Sequence, residues 1–384
     1  MFGAQFTFHE DFSGAGMARI GLGKDWLCLR ACDINTKKCR AYRNNFGEGH
    51  LFEGDIGDVK VVNAPPAQLA WASFPCQDTS LAGGYSGLAG RRSGTFWAWW
   101  RIVEGMRAAG KPYDIVCIEN VRGLLTSNGG TDFAAICEAL TKEGYIFGAT
   151  VINASLFLPQ SRERLFIVGI RGDKELIEDV RAKKPVPLWH PQSMQMAYKH
   201  LSKKAKEHWF WLNPVLPYVQ KPTLEEIISD NPEGVAWHTP QETKRLISMM
   251  SPENLRKLNE QKDKGARVIG MLYKRTREGQ QRAEVRFDGI AGCLRTATGG
   301  SSRQTVMIVS GQSVRSRLLA PREAARLMGL PDSYKLPEKY NDAYHLCGDG
   351  VAVPVVRFLA ETVFEPVLSK IAKDISASKM VAAE

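Results

Sequence analysis

The first 170 residues alternate short apolar runs with helix-like stretches, and this alternation constrains the fold more than any other feature of the sequence. The apolar runs are rich in β-branched or aromatic residues and span Gln5–His9, Trp26–Ala31, Leu69–Ser73, Ile115–Ile118, Thr150–Ile152 and Leu165–Ile170. The helix-like stretches between them include Thr36–Phe46, Thr95–Ala109 and Thr131–Lys142. Alternating strands and helices predict an α/β fold with a mostly parallel, doubly wound sheet. Such sheets bind ligands at the carboxyl ends of their strands, near the point where the strand order reverses.

The alternation fades after Arg171, where Pro, Trp, Lys and His become frequent, and it returns near Tyr344. A chain of 384 residues is also long for one small domain. We therefore predict a main domain formed by residues 1–172 and 344–384, and a smaller domain formed by residues 173–343.

Composition excludes several classes of protein. No run of about 18 apolar residues is present, which argues against a membrane span. The first nine residues lack the basic and apolar regions of a signal peptide. The eight cysteines form no C-x-x-C pair, which argues against a zinc site and against a disulfide framework. We expect a protein of a reducing cytoplasm that needs no metal.

The net charge of +10, with a pI near 9.2, favours a polyanionic partner. Residues 171–288 hold 22 Lys and Arg against 16 Asp and Glu, so about +6 of the total lies there. Taken alone, this charge is explained equally well by a solvent-exposed basic surface that binds no polyanion.

The first three predicted strands end in groups that suit a nucleoside. Gly14 and Gly16 let the backbone turn sharply and approach a ligand, although Arg19 occupies the third glycine position of a dinucleotide fingerprint. Asp33, about 20 residues later, can accept hydrogen bonds from ribose hydroxyls, or it can cap the helix that follows. Asp55 can accept from an exocyclic amine, or it can form a tight turn.

The next two strand ends carry Cys76 and Glu119, separated by about one helix. A strand–helix–strand unit places both residues at the same edge of the sheet. A thiolate beside a carboxyl group suits covalent catalysis on an electron-poor ring, whereas a lone Cys76 would be read as a buried structural thiol. The glycine-rich stretch Thr79–Thr95, with Arg91 and Arg92, suits a loop that closes over a substrate or an ordinary surface loop.

Together these residues resemble the DNA (cytosine-5)-methyltransferase family, of the bacterial or phage modification type. The resemblance covers roughly two-thirds of the chain, and the motifs occur in the family's order. They are Phe12–Gly16, Phe74–Gln77, Glu119–Val121, Gln160–Arg164 and Arg317–Tyr334. The resemblance implies a Rossmann-like methyltransferase fold that uses S-adenosylmethionine. It also implies a smaller domain that contains a target-recognition region at about residues 173–290.

The resemblance also implies roles for individual residues. Cys76 would attack C6 of a cytosine flipped from duplex DNA, while Glu119 holds N3 and Arg164 contacts the exocyclic oxygen. Arg162 would contact the target base and its surroundings, and Phe12 would stack on the adenine of the cofactor. The implied cofactor-binding residues are Phe12, Ser13, Gly14, Gly16, Asp33, Ile34, Asp55, Ile56, Pro75, Asp349 and Val351. The implied DNA-binding residues are Gln77, Arg91, Arg92 and Arg295.

Two positions depart from the family's pattern. Glu10 and Asp11 stand where the family usually has an Asp followed by an apolar residue. Asp349 stands where the last motif usually has an asparagine. We hypothesise that the Asp349 carboxylate lies near the sulfonium of the cofactor and favours the cationic cofactor over its neutral product.

The predicted function is therefore DNA cytosine-5 methylation, in a restriction–modification system or in phage or host DNA modification. The expected partner is double-stranded DNA. A cognate restriction endonuclease would share the target without being bound, and the protein would be a monomer in the bacterial cytoplasm or nucleoid. Three alternatives are a methyltransferase for RNA cytosine, a catalytically silent DNA-binding module and a nicotinamide-dependent dehydrogenase. The dehydrogenase would leave Pro75–Gln77 and Glu119–Val121 unexplained, and a second domain of about 170 residues favours duplex DNA over RNA.

Overall fold

The computed structural model describes residues 5–75, 94–218, 220–277, 279–295 and 303–381. The chain divides into two compact units. The first consists of Met1–Ile152, Glu163–Tyr218 and Val355–Glu384, and the second of Asn153–Arg162 and Val219–Pro354.

The first unit is built on a sheet that has nine strands within the described residues. The strands are Phe6–Asp11 (β1), Trp26–Asp33 (β2), Leu51–Glu53 (β3), Leu69–Ala72 (β4), Ile115–Asn120 (β5), Ile146–Asn153 (β6), Glu163–Ile170 (β7), Arg181–Ala182 (β8) and Trp209–Leu212 (β9). Their order in the sheet is β3-β2-β1-β4-β5-β7-β6-β9-β8. β1 is parallel to β2 and β4, β4 is parallel to β5, and β7 runs antiparallel to β5. The predicted α/β class with a mostly parallel sheet is confirmed.

The helices before residue 218 follow the strands along the chain. They are Met17–Leu22 (α1), Thr36–Phe46 (α2), Thr95–Ala108 (α3), Thr131–Lys142 (α4), Gln192–Lys199 (α5) and Lys203–His208 (α6). The helix α2 begins where Asn35 accepts hydrogen bonds from the N–H groups of Lys37 and Lys38, each at 3.1 Å. It ends at Gly47, whose φ of 77° suits glycine. The aromatic face of α3, including Phe96, Trp99 and Trp100, is buried in the core against the sheet.

The second unit contains a sheet with four antiparallel strands among its described residues, in the order β11-β10-β12-β13. These strands are Val268–Arg277 (β10), Gln280–Arg286 (β11), Thr305–Ser310 (β12) and Ser313–Leu318 (β13). Its helices are Leu224–Ile227 (α7), Pro240–Ser248 (α8), Pro252–Lys264 (α9), Pro321–Leu327 (α10) and Tyr340–Asp349 (α11). A core that includes Leu246, Leu258, Leu272, Val285 and Met307 joins α8 and α9 to the sheet. The chain then continues through Val353–Leu359 (α12) and Glu365–Val381 (α13).

The compact units differ from the predicted domain boundaries at both ends of the smaller domain. Residues 173–218 belong to the first unit, because β9 extends the large sheet beside β6 and β8 pairs with β9. Residues 344–354 belong to the second unit, and so do residues 153–162, which the prediction placed inside the main domain. Which residues recognise the target remains a prediction.

None of the described helices is both long and apolar enough to cross a membrane. Over the same residues, no cluster of three or more His, Cys, Asp or Glu is arranged to hold a metal ion.

Candidate active site

Four strand ends that the sequence singled out are neighbours in the sheet. β1 lies between β2 and β4, and β5 lies on the other side of β4. These four strands are parallel, so their carboxyl ends share one edge of the sheet. The chain runs from β1 to β2 on one side and reaches β4 on the other, so the strand order reverses beside β1. Ligands bind at this place in open α/β sheets.

The loop after β1 has an unusual backbone that is fastened to the end of β2. Phe12 has a φ of 58°, which is uncommon for a residue other than glycine, and Gly14 and Gly16 have φ values of 55° and 78°. The N–H of Gly14 donates to Oδ2 of Asp33 at 2.8 Å. The Asp33 carboxylate also accepts from the N–H of Asn35 at 2.8 Å. Asp33 therefore holds the glycine loop against the second strand.

The sequence left two structural alternatives open, a helix cap for Asp33 and a tight turn for Asp55, and only the second is observed. Asp33 as a helix cap is wrong, because Asn35 caps α2. Asp55 does form a tight turn, since its Oδ1 accepts from the N–H of Gly57 at 2.8 Å. The residues that follow them differ in exposure: Ile34 is 65% exposed, whereas Ile56 is buried.

Glu10, at the end of β1, and Ser13, in the loop, each have a polar atom with no partner among the residues that the structure describes. The Glu10 side chain is buried, and its Oε1 accepts from the N–H of Arg19 at 3.2 Å. Its Oε2 and the hydroxyl of Ser13 have no hydrogen-bond partner among the described residues. Burial raises the pKa of Glu10 to about 8. Buried polar groups are normally hydrogen-bonded, so these two atoms are available to form hydrogen bonds with a polar ligand.

Asp11, which lies on the face of β1 opposite to Glu10, is the centre of a buried network of hydrogen bonds and an ion pair. Its carboxylate forms an ion pair with Arg30 at 2.5 Å and accepts from the indole N–H of Trp99 at 2.9 Å. Its carbonyl oxygen accepts from the N–H of Ser73 at 3.3 Å. Asp11 thus connects the glycine loop to α3 and to the segment after β4. From the sequence, Asp11 is notable only because the family usually has an apolar residue at this position. Its role in the network could not be predicted, because its partners are distant along the chain.

The segment after β4 leads toward the predicted nucleophile. Phe74 is buried and Pro75 is exposed, while Cys76, Gln77, Arg91 and Arg92 lie outside the described residues.

Asn120, the last residue of β5, is bonded to this segment. Its Nδ2 donates to the carbonyl oxygen of Phe74 at 3.3 Å, and its Oδ1 accepts from the N–H of Val121 at 2.8 Å. In the motif Glu119–Val121, the sequence pattern predicts a role for Glu119 and none for Asn120. Its side chain joins the end of β5 to the segment that precedes Cys76.

Glu119 and Arg164, two of the predicted catalytic residues, lie together. Oε1 of Glu119 is 3.1 Å from Nε of Arg164, and the two side chains are 10% and 17% exposed. They reach each other because β5 and β7 are antiparallel neighbours. A carboxyl group at the strand edge is thus held by a cation, within a setting mostly shielded from water.

Four other predicted site residues lie in the second unit, namely Arg162, Arg295, Asp349 and Val351. Arg162 is 2% exposed, and its guanidinium donates to the carbonyl oxygens of Gly348 at 3.0 Å and Gly350 at 2.5 Å. It also donates to the carbonyl oxygen of Leu294 at 3.1 Å. A base could reach Arg162 only if these bonds opened, so its predicted contact with the target base gains no support from its surroundings.

Asp349 lies between Gly348 and Gly350, the two residues whose carbonyl oxygens accept hydrogen bonds from Arg162. Asp349 is exposed at the end of α11, whereas Val351 is buried. Arg295 is exposed. Their predicted contacts with cofactor and DNA remain predictions.

Solved structures of methyltransferases share this fold. The methyltransferase EhMeth of Entamoeba histolytica aligns over 94% of this chain and 98% of its own, with a TM-score of 0.64 at 13% identity. The Dnmt2 methyltransferase of S. pombe aligns over 94% of this chain and 99% of its own, with a TM-score of 0.58 at 17% identity.

Curated relatives match along nearly the whole sequence. The Type II methyltransferase M.HhaI of Haemophilus parahaemolyticus is 27% identical over 356 residues, which are 92% of each protein. M.HaeII of Haemophilus aegyptius is 28% identical over 91% of this chain and 90% of its own. The sequence profile described as C-5 cytosine-specific DNA methylase matches residues 6–365. The chain therefore belongs to the C-5 cytosine-specific DNA methylases and is a DNA cytosine-5 methyltransferase, as its strand-end motifs predict.

Proposed function

We propose that this enzyme methylates a cytosine flipped out of duplex DNA, through a covalent bond between Sγ of Cys76 and C6 of the base. Membership of the family supports the cytosine-5 chemistry. The assignment of residues rests on one observation above all. β4 and β5 are parallel neighbours, and the Asn120 amide is bonded to Phe74, two residues before Cys76. The approach to the thiol thus lies at the same sheet edge as Glu119.

The family and the fold imply S-adenosylmethionine, which supplies the methyl group when bound. The edge beside β1 fits such a ligand, because its backbone turns through left-handed conformations and two of its buried polar atoms have no partner within the described part of the chain. We assign the cofactor to this edge, with Phe12 against the adenine, Asp33 near the ribose and Asp55 near the exocyclic amine. The unpartnered oxygens of Glu10 and Ser13 are the groups we expect to gain hydrogen bonds.

The residues of this chain would act in a fixed order of steps. C6 of a stacked cytosine is out of reach, so the base must first leave the duplex. The Cys76 thiolate then bonds to C6, and the π electrons of the C5–C6 double bond shift to C5 and, through C4, to N3. Glu119 stabilises the charge that develops at N3. Arg164 holds the Glu119 carboxyl in place and contacts the exocyclic oxygen of the base. After C5 is methylated it loses its proton, the double bond re-forms and Cys76 leaves as the thiolate.

Arg162 would serve this reaction indirectly. Because its guanidinium is enclosed by backbone carbonyls, we propose that it positions residues 348–350, and Asp349 with them, rather than contacting the base.

The biological setting is also a proposal. The two relatives named above are Type II methyltransferases. We propose that this chain likewise modifies DNA as a monomer, in a restriction–modification or phage setting in the bacterial cytoplasm or nucleoid. A cognate endonuclease would recognise the same target without binding the enzyme.

Bisulfite sequencing of DNA from cells that express the protein tests the function. We expect protected cytosines in one sequence context for the wild type and none for Cys76→Ser. Transfer of a labelled methyl group to tRNA but not to DNA would contradict the proposal and favour the RNA alternative. Absence of methylation on any DNA would favour a silent binding module.

A further inference from the structure

The positive charge of this chain is concentrated in residues 181–208. This segment holds seven Lys and Arg and one acidic residue, Glu207, a net charge of +6. Residues 219–288, which make up most of the predicted recognition region, hold 13 Lys and Arg against 11 Asp and Glu. The basic segment belongs to the first compact unit, whereas residues 219–288 belong to the second. The charge excess therefore lies in the first compact unit, within the part of the predicted recognition region that precedes residue 219.

Five lysines of this segment are exposed. They form the lysine cluster, which consists of Lys183, Lys184, Lys199, Lys203 and Lys204. Among the described residues, none of the five has an acidic partner within 4.0 Å. Arg181 is different, because Glu178 neutralises it. The cluster thus presents charge that the described protein leaves uncompensated.

The topology brings these lysines to one edge of the large sheet. Ala182 of β8 pairs with Trp211 of β9, in antiparallel register. The chain therefore leaves β8 at Lys183 and Lys184 beside the start of β9, where α6 ends. Nζ of Lys206 donates to the carbonyl oxygen of Lys199 at 2.8 Å, which ties α6 to the end of α5.

The placement of Lys203 and Lys204 does not favour folding. Both lie in the first turn of α6, which contains no acidic residue. The positive end of a helix dipole disfavours cations, and neighbouring lysines repel one another within the Debye length of about 10 Å at 0.1 M salt. A polyanion would remove both penalties.

We propose that the lysine cluster is a second DNA-binding surface, which contacts backbone phosphates and reads no bases. Duplex DNA is the partner because the enzyme belongs to a family of DNA methylases. Lysine ammonium groups act as point charges toward phosphates, and such contacts add affinity without sequence information. The inference goes beyond the proposed function, since it does not involve Cys76 and since it assigns phosphate contact, not base reading, to the part of the predicted recognition region that belongs to the first unit.

Salt dependence of binding gives a direct test. Binding to a labelled random duplex of about 30 base pairs would be measured by fluorescence anisotropy from about 50 to 300 mM NaCl, where each phosphate contact contributes about −0.9 to the slope of log K against log salt. The test variant is K183Q/K184Q/K203Q/K204Q. The control, K24Q/K60Q/K142Q/K373Q, removes the same charge from exposed lysines elsewhere in the first unit.

We expect the test variant to lose about 3 to 4 from the magnitude of the slope and the control to lose less than about 1. At about 0.1 M salt the test variant should bind the duplex at least tenfold more weakly than the control. The control should unfold at the wild-type temperature, because its substituted side chains are exposed. The test variant should unfold at that temperature or slightly above it, because it loses the repulsion of Lys203 and Lys204 by each other and by the helix dipole. Equal slopes for the two variants would overturn the proposal, and so would a loss of slope seen with duplex RNA but not with DNA. Cys76→Ala should keep the wild-type slope, so failure of the proposed chemistry would be distinguishable.

Discussion

The side-chain amide of Asn120 donates to the carbonyl oxygen of Phe74 across 3.3 Å and joins the end of β5 to the segment that leads into Cys76. The carboxyl group of the preceding residue, Glu119, is held at the same strand end by Arg164. The end of β5 therefore carries two groups: Glu119, the predicted acid, and Asn120, which is bonded to the segment that precedes the predicted nucleophile, Cys76. We expect the two functions to respond differently to substitution.

Replacing Asn120 with Ala should impair the nucleophile without impairing the cofactor site. The change removes the donor to Phe74 and costs about 0.5–1.5 kcal/mol of stability. Misplacing the thiol by about 1 Å should lower kcat by roughly 100-fold. Single-turnover methylation and S-adenosylhomocysteine binding would be measured together. A wild-type single-turnover rate would show that this bond does not position Cys76.

Glu119→Gln should lower kcat by about 10²- to 10⁴-fold, the usual contribution of a positioned acid or base. The protein should remain folded, because the amide fills the same space beside Arg164. The matched control is Arg122→Ala, which breaks the exposed pair of Arg122 and Glu163 and should change stability by less than about 1 kcal/mol. Equal kcat values for Glu119→Gln and the control would contradict the role of Glu119.

Glu10 should make stability depend on pH. Burial raises its pKa to about 8 in the folded protein, against about 4.3 in the unfolded chain. Its stabilising contribution is therefore complete below about pH 4.3 and is lost as the pH rises to 8, at up to about 1.4 kcal/mol per pH unit. Glu10→Gln stays neutral, so it should gain stability relative to the wild type across this range and gain no more above it. Urea unfolding at several pH values would measure the difference, and a constant difference would be inconsistent with a raised pKa.

Arg317 and Glu323 form a buried ion pair in the second unit, at 2.7 Å, with side chains 0% and 2% exposed. Arg317→Met should destabilise this unit by about 3–5 kcal/mol, because it leaves the Glu323 carboxylate buried without its cation. Arg326→Ala breaks the exposed pair with Asp332 and should cost no more than about 1 kcal/mol. Similar unfolding midpoints for the two variants would mean that the buried pair does not stabilise the unit.

Much of the fold was predictable because hydrophobic periodicity is local. The helices Thr36–Phe46 and Thr131–Lys142 have the predicted bounds. The strands predicted as Gln5–His9 and Ile115–Ile118 continue to Asp11 and Asn120. These extensions are polar, and polar residues end an apolar run in the sequence even where the sheet buries them.

The rest depends on partners that are distant along the chain. Asp11 reaches Trp99, and Arg162 reaches Gly350. No local pattern indicates that Arg162 is enclosed by carbonyl groups, so a contact with the target base is predicted for Arg162 as well as for Arg164. The compact units were unpredictable for a similar reason, since β9 joins the large sheet by pairing with β6, more than 50 residues earlier.

Trapping with DNA that contains 5-fluorocytosine at the methylated position tests the central claim most directly. Fluorine blocks loss of the C5 substituent, so the bond between Cys76 and C6 should persist. We predict a denaturation-resistant protein–DNA complex for the wild type, and a peptide containing Cys76 bonded to the base after proteolysis and mass spectrometry. We predict no such complex for Cys76→Ala. A complex that still forms with Cys76→Ala would contradict the assignment of Cys76 as the nucleophile.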